Sequence, residues 1–407
     1  MDRRRNHLPS SVQGFGQVRE FPDLPDLASP AARPVGRMTS GRPRRLGLVL
    51  CSGVKRPIPS TRTAELNMLP HLQAAGFEPV VLFAPTEPTE TPTLDGVAER
   101  ALAERCDIVL IQKVHGPPAV ALARRLEMAG VRTLYAVCDL VDVPMTEATS
   151  ATVTVTDYLR SLYPRELQQR IHVVHDGIER PEAAKTGWRN DRGSPALPLV
   201  AVLVTSADLD TLPAMGTVPP WLHVRIVGRY APAGAERWRQ LRWAFAAKRW
   251  SERLAFLRFL LSRRITCVPW DLEGVYREMA QADIAVIPID TREAPTASNL
   301  PPAWKVKSEN RLTLKMALGL PVVATPIPSY ESIVEHGVNA FFARTPADWR
   351  TCLDALRDPA RRREMGSAAR ASVSRRYSMD AQARRLTAVL DSLAPPAALQ
   401  HRAWKQE

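Results

Sequence analysis

From Arg45 onward the chain repeats one pattern: a short apolar run, a turn residue, then a segment with helical period. Strands are expected at Leu46 to Cys51, Pro79 to Phe83, Asp107 to Gln112, Arg132 to Val137 and Ala151 to Val155. Between them the spacing predicts helices over about Thr61 to Ala75, Leu94 to Glu104 and Pro118 to Ala129, with Gly76 and Gly130 closing the first and last. Such alternation constrains the fold strongly, because parallel strands need a helical crossover to bring the chain back to the same sheet end. Pro70 falls inside the first helix and should kink or shorten it.

Between Glu179 and Leu197 the pattern dissolves into Pro, Gly, Lys, Arg and Asn. It restarts with strands near Leu199 to Val204, His223 to Val227, Ile265 to Val268 and Asp283 to Ile287. The expected class is therefore α/β, with two Rossmann-like, doubly wound domains facing a central cleft. The boundaries read as 44–184 for the first domain, 185–197 for a linker and 198–376 for the second domain. A helix over 377–396 is expected to cross back to the first domain, leaving a tail at 397–407. Residues 1–43, with Arg3-Arg4-Arg5, many prolines and few apolar side chains, should be disordered. They read either as an extension upstream of a start at Met38 or as a basic tether.

The richest segment is Lys307-Ser308-Glu309-Asn310-Arg311 followed by Met316 to Thr325. Ser308 is placed to cap a helix whose free N–H groups favour an anion, and Lys307 and Arg311 bring charge to that end. Gly319 closes the helix, and Pro321 leads into the strand Val322 to Ala324. In the loop beyond, Ser329 is placed to cap a second helix, so two helix starts converge at one sheet edge. That corner is a candidate seat for a diphosphate. Asn310 is a candidate phosphate or ribose contact, against a plain capping role. Ser329, Tyr330 and Glu331 are candidate contacts for sugar hydroxyls, against dipole complementarity for Glu331. Lys305 reads as a surface lysine.

From about Trp304 to Leu393 the chain resembles the nucleotide-sugar-binding half of group 1 (family 4) glycosyltransferases of the GT-B fold. The shared features are the Lys-rich helix entry, the Ala317-x-Gly319-x-Pro321-Val322-Val323 turn, the Glu331 to Asn339 helix and strand, and a closing helix at Tyr377-Ser378. The first half is similar less specifically, in Ser60-Thr61-Arg62, Asp107-Ile108-Val109, Gln112-Lys113, Cys138-Asp139 and Asp176-Gly177-Ile178. Many members carry two glutamates eight positions apart; here the matching places hold Val306 and Leu314, which points to a divergent branch.

The resemblance implies a retaining glycosyltransferase with a nucleotide-diphosphate sugar as co-substrate, no cofactor and no metal. It also implies a glycan or lipid-linked acceptor and a cytoplasmic place. Asp139 is then the candidate acceptor-side catalytic residue, Asp142 a lesser one, and Arg62 a residue reaching the diphosphate or an acidic acceptor. His115 and His175 read as ordinary loop residues, and Trp270 as core rather than base pocket. A catalytically silent GT-B scaffold and another GT-B reaction, such as nucleotide-sugar epimerisation, are the alternatives.

Composition narrows the classes further. No apolar run approaches the length of roughly 18 residues that spans a bilayer, and five scattered cysteines lack metal-ligand spacing. The net charge of +13 would suit nucleic acid, but no such module is recognisable, so no nucleic-acid partner is expected. Residues 236–264 hold nine Lys or Arg against two Glu, with Trp243, Ala247, Trp250, Leu254, Leu257 and Leu261 on one helical stripe. That stripe reads as a crossover helix packed on its own sheet; the alternative is peripheral contact with an anionic inner membrane face.

Overall fold

The computed structural model describes residues 43–55, 57–205, 214–228, 250, 253–254, 262–291 and 301–393. The expectation of disorder before residue 43 lies outside the described residues, as does most of the basic stripe at 236–264.

The first sheet is wholly parallel, with strands β1 (Arg44–Val49), β2 (Phe77–Phe83), β3 (Ile108–Gln112), β4 (Arg132–Val137), β5 (Ala151–Thr154) and β6 (Ile171–Val173). Their order is β2-β1-β3-β4-β5-β6. The second sheet holds β7 (Leu199–Val204), β8 (Leu222–Gly228), β9 (Ile265–Pro269), β10 (Ile284–Ile287), β11 (Val322–Ala324) and β12 (Phe341–Phe342), in the order β12-β11-β10-β7-β8-β9. In each sheet the chain winds one way and then reverses, between β1 and β3 and again between β7 and β10. A crevice forms at the carboxyl ends of the strands at such reversals, and ligands of open α/β sheets bind there.

Crossover helices cover the sheets: α1 (Leu69–Ala74), α2 (Val97–Ala103), α3 (Pro117–Met128), α4 (Val143–Ala148) and α5 (Asp157–Ser161) on the first. The second carries α6 (Leu272–Gln281), α7 (Asn310–Ala317), α8 (Pro328–Glu331), α9 (Pro346–Ala355) and α10 (Pro359–Val373). The helix expected over Thr61 to Ala75 is broken into a wide turn at Thr61–Glu65, a tight one at Leu66–Met68, and α1. Pro70 falls in the first turn of α1, where its missing N–H is not needed. α4, α5 and β6 were absent from the sequence reading, being too short to show a period.

A last helix, α11 (Met379–Leu393), leaves the second domain and packs Ala383, Leu386, Val389 and Leu390 into a core with Leu46, Leu48 and Leu50 of the first. Ile178 and Ser378 pair as a parallel bridge where the chain crosses in each direction. The linker is fastened from below by Arg362, which is fully buried. Its guanidinium donates to the carbonyls of Leu356, Arg357, Arg189 and Asp191 at 2.8–2.9 Å. Four neutral carbonyls take the two terminal nitrogens of this cation, while its Nε has no hydrogen-bond partner.

α7 runs into β11 through a turn that only glycine suits. Gly319 has φ +80°, and α10 crosses so closely that a Cβ at Gly366 would stand 2.1 Å from the Gly319 carbonyl oxygen and 2.8 Å from the Trp188 ring. The first obstacle is backbone and cannot rotate away. Gly366→Ala is therefore expected to lower stability by about 2 kcal/mol or more, read by urea unfolding; a loss below about 0.5 kcal/mol would show that α10 shifts freely.

Candidate active site between the two sheets

At the reversal of the first sheet, the carboxyl ends of β1 and β3 are tied by one amide. Gln112 Oε1 accepts from the Cys51 backbone N–H at 3.2 Å and from the Thr61 hydroxyl at 3.0 Å, and the Ser52 hydroxyl donates to Thr61 at 2.9 Å. Lys113 follows with φ 56°, a backbone conformation uncommon outside glycine. Its buried ammonium lies 2.7 Å from Glu90 and 2.9 Å from Asp139. Ser60, Glu65, Gln112, Lys113, Cys138 and His175 are among the side chains around a small cleft at this edge.

Asp139 is thus at the crevice but engaged with Lys113, and exposed. Asp142 has a local duty: its carboxylate caps α4 by accepting from the Met145 N–H at 3.0 Å. Arg62 is engaged within the protein itself. Its guanidinium clasps Glu179 at 2.7 and 3.2 Å and lies over the Trp270 ring at 5.6 Å. Glu179 also accepts from Asn67 at 2.9 Å and from the Tyr276 hydroxyl at 3.3 Å, so it joins the first domain to α6 of the second. Trp270 packs at the margin of the second core, as expected.

The diphosphate corner differs in detail from the expectation. Ser308 does not cap α7; Glu309 occupies that place, with helical backbone angles and no side-chain cap. The Ser308 hydroxyl instead lies near the Asp176 carboxylate across the domain junction, where it favours the charged form. Ser329 does not cap α8 either: Ile327 stands at the cap, and Ser329 is already inside the helix. Glu331 is exposed, whereas Tyr330 is fully buried, and burial pushes its hydroxyl well above its ordinary range. Lys307, Asn310 and Arg311 are half-buried at the start of α7. Among the described residues the Arg311 guanidinium has no carboxylate partner. Lys305 lies beside the Trp304 ring at 5.2 Å.

Around this corner several buried polar atoms lack a hydrogen-bond partner: Asp176 Oδ1, Glu309 Oε1 and Oε2, Asn310 Oδ1, Ser329 Oγ and Tyr330 Oη. Glu309 and Arg311 both act electrostatically on Tyr330, which places these groups in one neighbourhood. Unpaired buried polar atoms are rare in folded proteins, and a group of them at one crevice marks a place built for a polar ligand.

Charge is unusually confined here. Burial, then the neighbouring Asp176 carboxylate, push Glu65 up to about 8. Burial and then Glu309 push Asp176 up to about 7. Lys315, one turn beyond Arg311, is pushed down to about 7 by burial and by Arg311, with its Nζ donating to the Arg311 carbonyl at 2.9 Å. Glu65, Asp176, Glu309, His175 and Lys315 carried no candidate role in the sequence. Glu309 lies within the polar run Lys307 to Arg311 and Asp176 within a motif already noted, so neither stands out by itself.

Residues 214–388, somewhat under half of the chain, match the family model described as Glycosyl transferase-like. Among solved structures, HepE from Anabaena in complex with UDP and glucose superposes with a TM-score of 0.60 at 15% identity, over 86% of this chain and 100% of that one. The chain has the GT-B fold. A glycosyltransferase from Rickettsia africae (TM-score 0.61, 12% identity, 86% and 98% covered) and sucrose-phosphate synthase from Thermosynechococcus elongatus (0.59, 14%, 86% and 99%) share the GT-B arrangement. No curated protein matches the sequence. At such identities the likeness establishes the fold, and the family model makes the second GT-B domain glycosyltransferase-like.

Glu65 has a pH consequence. A carboxyl group pushed up in the folded state binds its proton more tightly there than in the unfolded chain, so its contribution to stability is full below about pH 4 and lost as pH rises through about 8. Glu65→Gln removes that loss. Between pH 5 and 9 the wild type should lose on the order of 4 kcal/mol more than the variant, measured by urea unfolding at each pH; parallel pH profiles would contradict the assignment.

Proposed function

We propose that this chain is a retaining glycosyltransferase that moves a sugar from a nucleoside-diphosphate sugar onto a glycan or lipid-linked acceptor, on the cytoplasmic side. The observation that carries the reading is the start of α7. There Arg311, with no carboxylate partner among the described residues, stands with Lys307 and the unpaired Asn310, Ser329 and Tyr330 at the crevice between two GT-B sheets. HepE, of the same fold, binds UDP and glucose at 15% identity.

Breaking the bond from the anomeric carbon to the diphosphate leaves negative charge on the departing phosphate. Cations and N–H dipoles fixed beforehand at that position stabilise the transition state without reorganising. Lys307, Arg311 and the free N–H groups of α7 supply them. Asn310, Ser329 and Tyr330 offer hydrogen bonds to ribose or sugar hydroxyls, and the acceptor enters on the side of Asp139 and Lys113. Retention follows from the family resemblance, with the departing phosphate accepting the acceptor's proton. In this reading the nucleotide sugar is a co-substrate and no metal or further cofactor takes part.

A scaffold that binds nucleotide without turning over is favoured by one feature. Val306 is buried and Leu314 packs on the core, where many relatives place glutamates. Membrane contact has a smaller support: Trp250 is 81% exposed and Leu254 55%. Sedimentation with anionic liposomes tests it, and indifference to anionic lipid rejects it.

Thermal-shift screening against uridine, guanosine and adenosine diphosphates and their sugars should show stabilisation by one base. Lys307→Ala and Arg311→Ala should each lower transfer by on the order of 100-fold. Binding without turnover by the wild type would favour the scaffold, and no stabilisation by any nucleotide would end the donor reading.

A further inference from the structure

Two consecutive residues of one domain meet two consecutive residues of the other. Ser308 and Glu309, at the start of α7, face His175 and Asp176, just beyond β6. The Ser308 hydroxyl is near enough to Asp176 to favour its charged form, and Glu309 Oε1 lies 2.7 Å from His175 Nδ1. Both side chains of the second pair are buried, at 5% and 1% exposure.

The place of His175 is fixed from several sides. Its backbone N–H donates to Gln382 Oε1 of α11 at 3.0 Å, its Nδ1 is 2.8 Å from the Val155 carbonyl oxygen, and its ring lies 4.9 Å from that of Tyr377. A carbonyl only accepts, so Nδ1 carries a proton and donates to Val155. The Glu309 carboxylate then meets the same nitrogen off the donor axis, and neither of its oxygens has a hydrogen bond. That distinguishes the contact, which is close and without a hydrogen bond, from an ordinary bonded pair. A buried carboxylate held only this way is sensitive to position: moving α7 away from His175 leaves the charge with nothing to offset its desolvation.

We propose that Glu309 and His175 are positioning residues for sugar transfer. Their contact sets the start of α7, and with it Lys307 and Arg311, against the acceptor side where Glu65, Gln112 and Lys113 stand. The proposal rests on the donor-site reading above and adds to it the element that aligns the two reactants. Neither residue touches substrate in this role. Asp176, Ser308, Tyr377 and Gln382 hold the pair in place.

The test compares Glu309→Gln, which keeps volume and loses charge, with His175→Ala and with His175→Asn, whose amide offers a donor near the Nδ1 position. For each, nucleoside-diphosphate affinity is measured by calorimetry, kcat and KM by transfer assay, and domain separation by small-angle scattering, at a temperature where all are folded. Glu309→Gln and His175→Ala are expected to lower kcat about 10- to 100-fold, with diphosphate affinity within about 3-fold of wild type and the double variant no worse than the weaker single one. His175→Asn should recover most of the loss. Unchanged kcat, additive losses, or affinity falling by the same factor as kcat would each overturn the proposal. If His175→Ala does not fold, the Glu309→Gln split between kcat and affinity decides alone. If the wild type binds no nucleoside diphosphate, the donor reading fails separately. Scattering from Glu309→Gln then decides the contact, and an unchanged domain separation overturns it.

Discussion

Four carboxyl groups, Glu65, Asp176, Glu179 and Glu309, lie in the crease where the carboxyl ends of two parallel sheets meet, with Arg62 paired to Glu179 and the His175 ring against Glu309. Buried ion pairs add little net stability compared with well-packed apolar side chains, yet breaking one is costly, because the partner is left charged and dry. A crease lined in this way is therefore a poor source of stability and a strict one of geometry. Glu179 shows the pattern: it gathers Arg62, Asn67 and Tyr276 from both sides of the junction. The apolar cores on either face of each sheet hold the domains together internally, while this crease decides how they face each other.

Much of the fold was legible because strands β4, β7 and β11 are bounded by turn residues and carry only one period. The same reasoning failed where a helix is short or broken. Thr61 to Glu65 has no clean period because Thr61, Thr63 and Glu65 are all buried and all polar, with Thr61 bonded to Gln112. Local capping rules misplaced Ser308 and Ser329 for a related reason. A hydroxyl next to a helix start caps it only when it stands at the cap position, and Glu309 and Ile327 hold those positions here.

Site residues divide along the same line. Lys307, Asn310 and Arg311 stand out as candidates because their positions relative to Gly319 and Pro321 carry the signal. Arg62 was assigned toward ligand, but its partner Glu179 is far away in sequence and no local pattern announces it. Glu65, His175 and Glu309 each look like an ordinary polar residue in the sequence, and only the tertiary fold shows them to be buried. Sequence reveals which residues can bind an anion; it does not reveal which charges the fold consumes on itself.

That division bears on how a sugar would be recognised. At Val306 and Leu314 the side chains are apolar and turned into packing, so no carboxylate from those places reaches a ligand. Glu309 brings a carboxylate to the same helix start but directs it at His175, across the junction. Toward the donor side this leaves an amide oxygen and two hydroxyls, from Asn310, Ser329 and Tyr330, all buried and all unpaired. Neutral groups of this kind discriminate by where a hydroxyl stands rather than by charge, and each is costly only when its own partner is missing. On the proposed donor reading, a site so composed would discriminate among sugars by the positions of their hydroxyls, with the charged part of recognition left to Lys307 and Arg311 at the diphosphate.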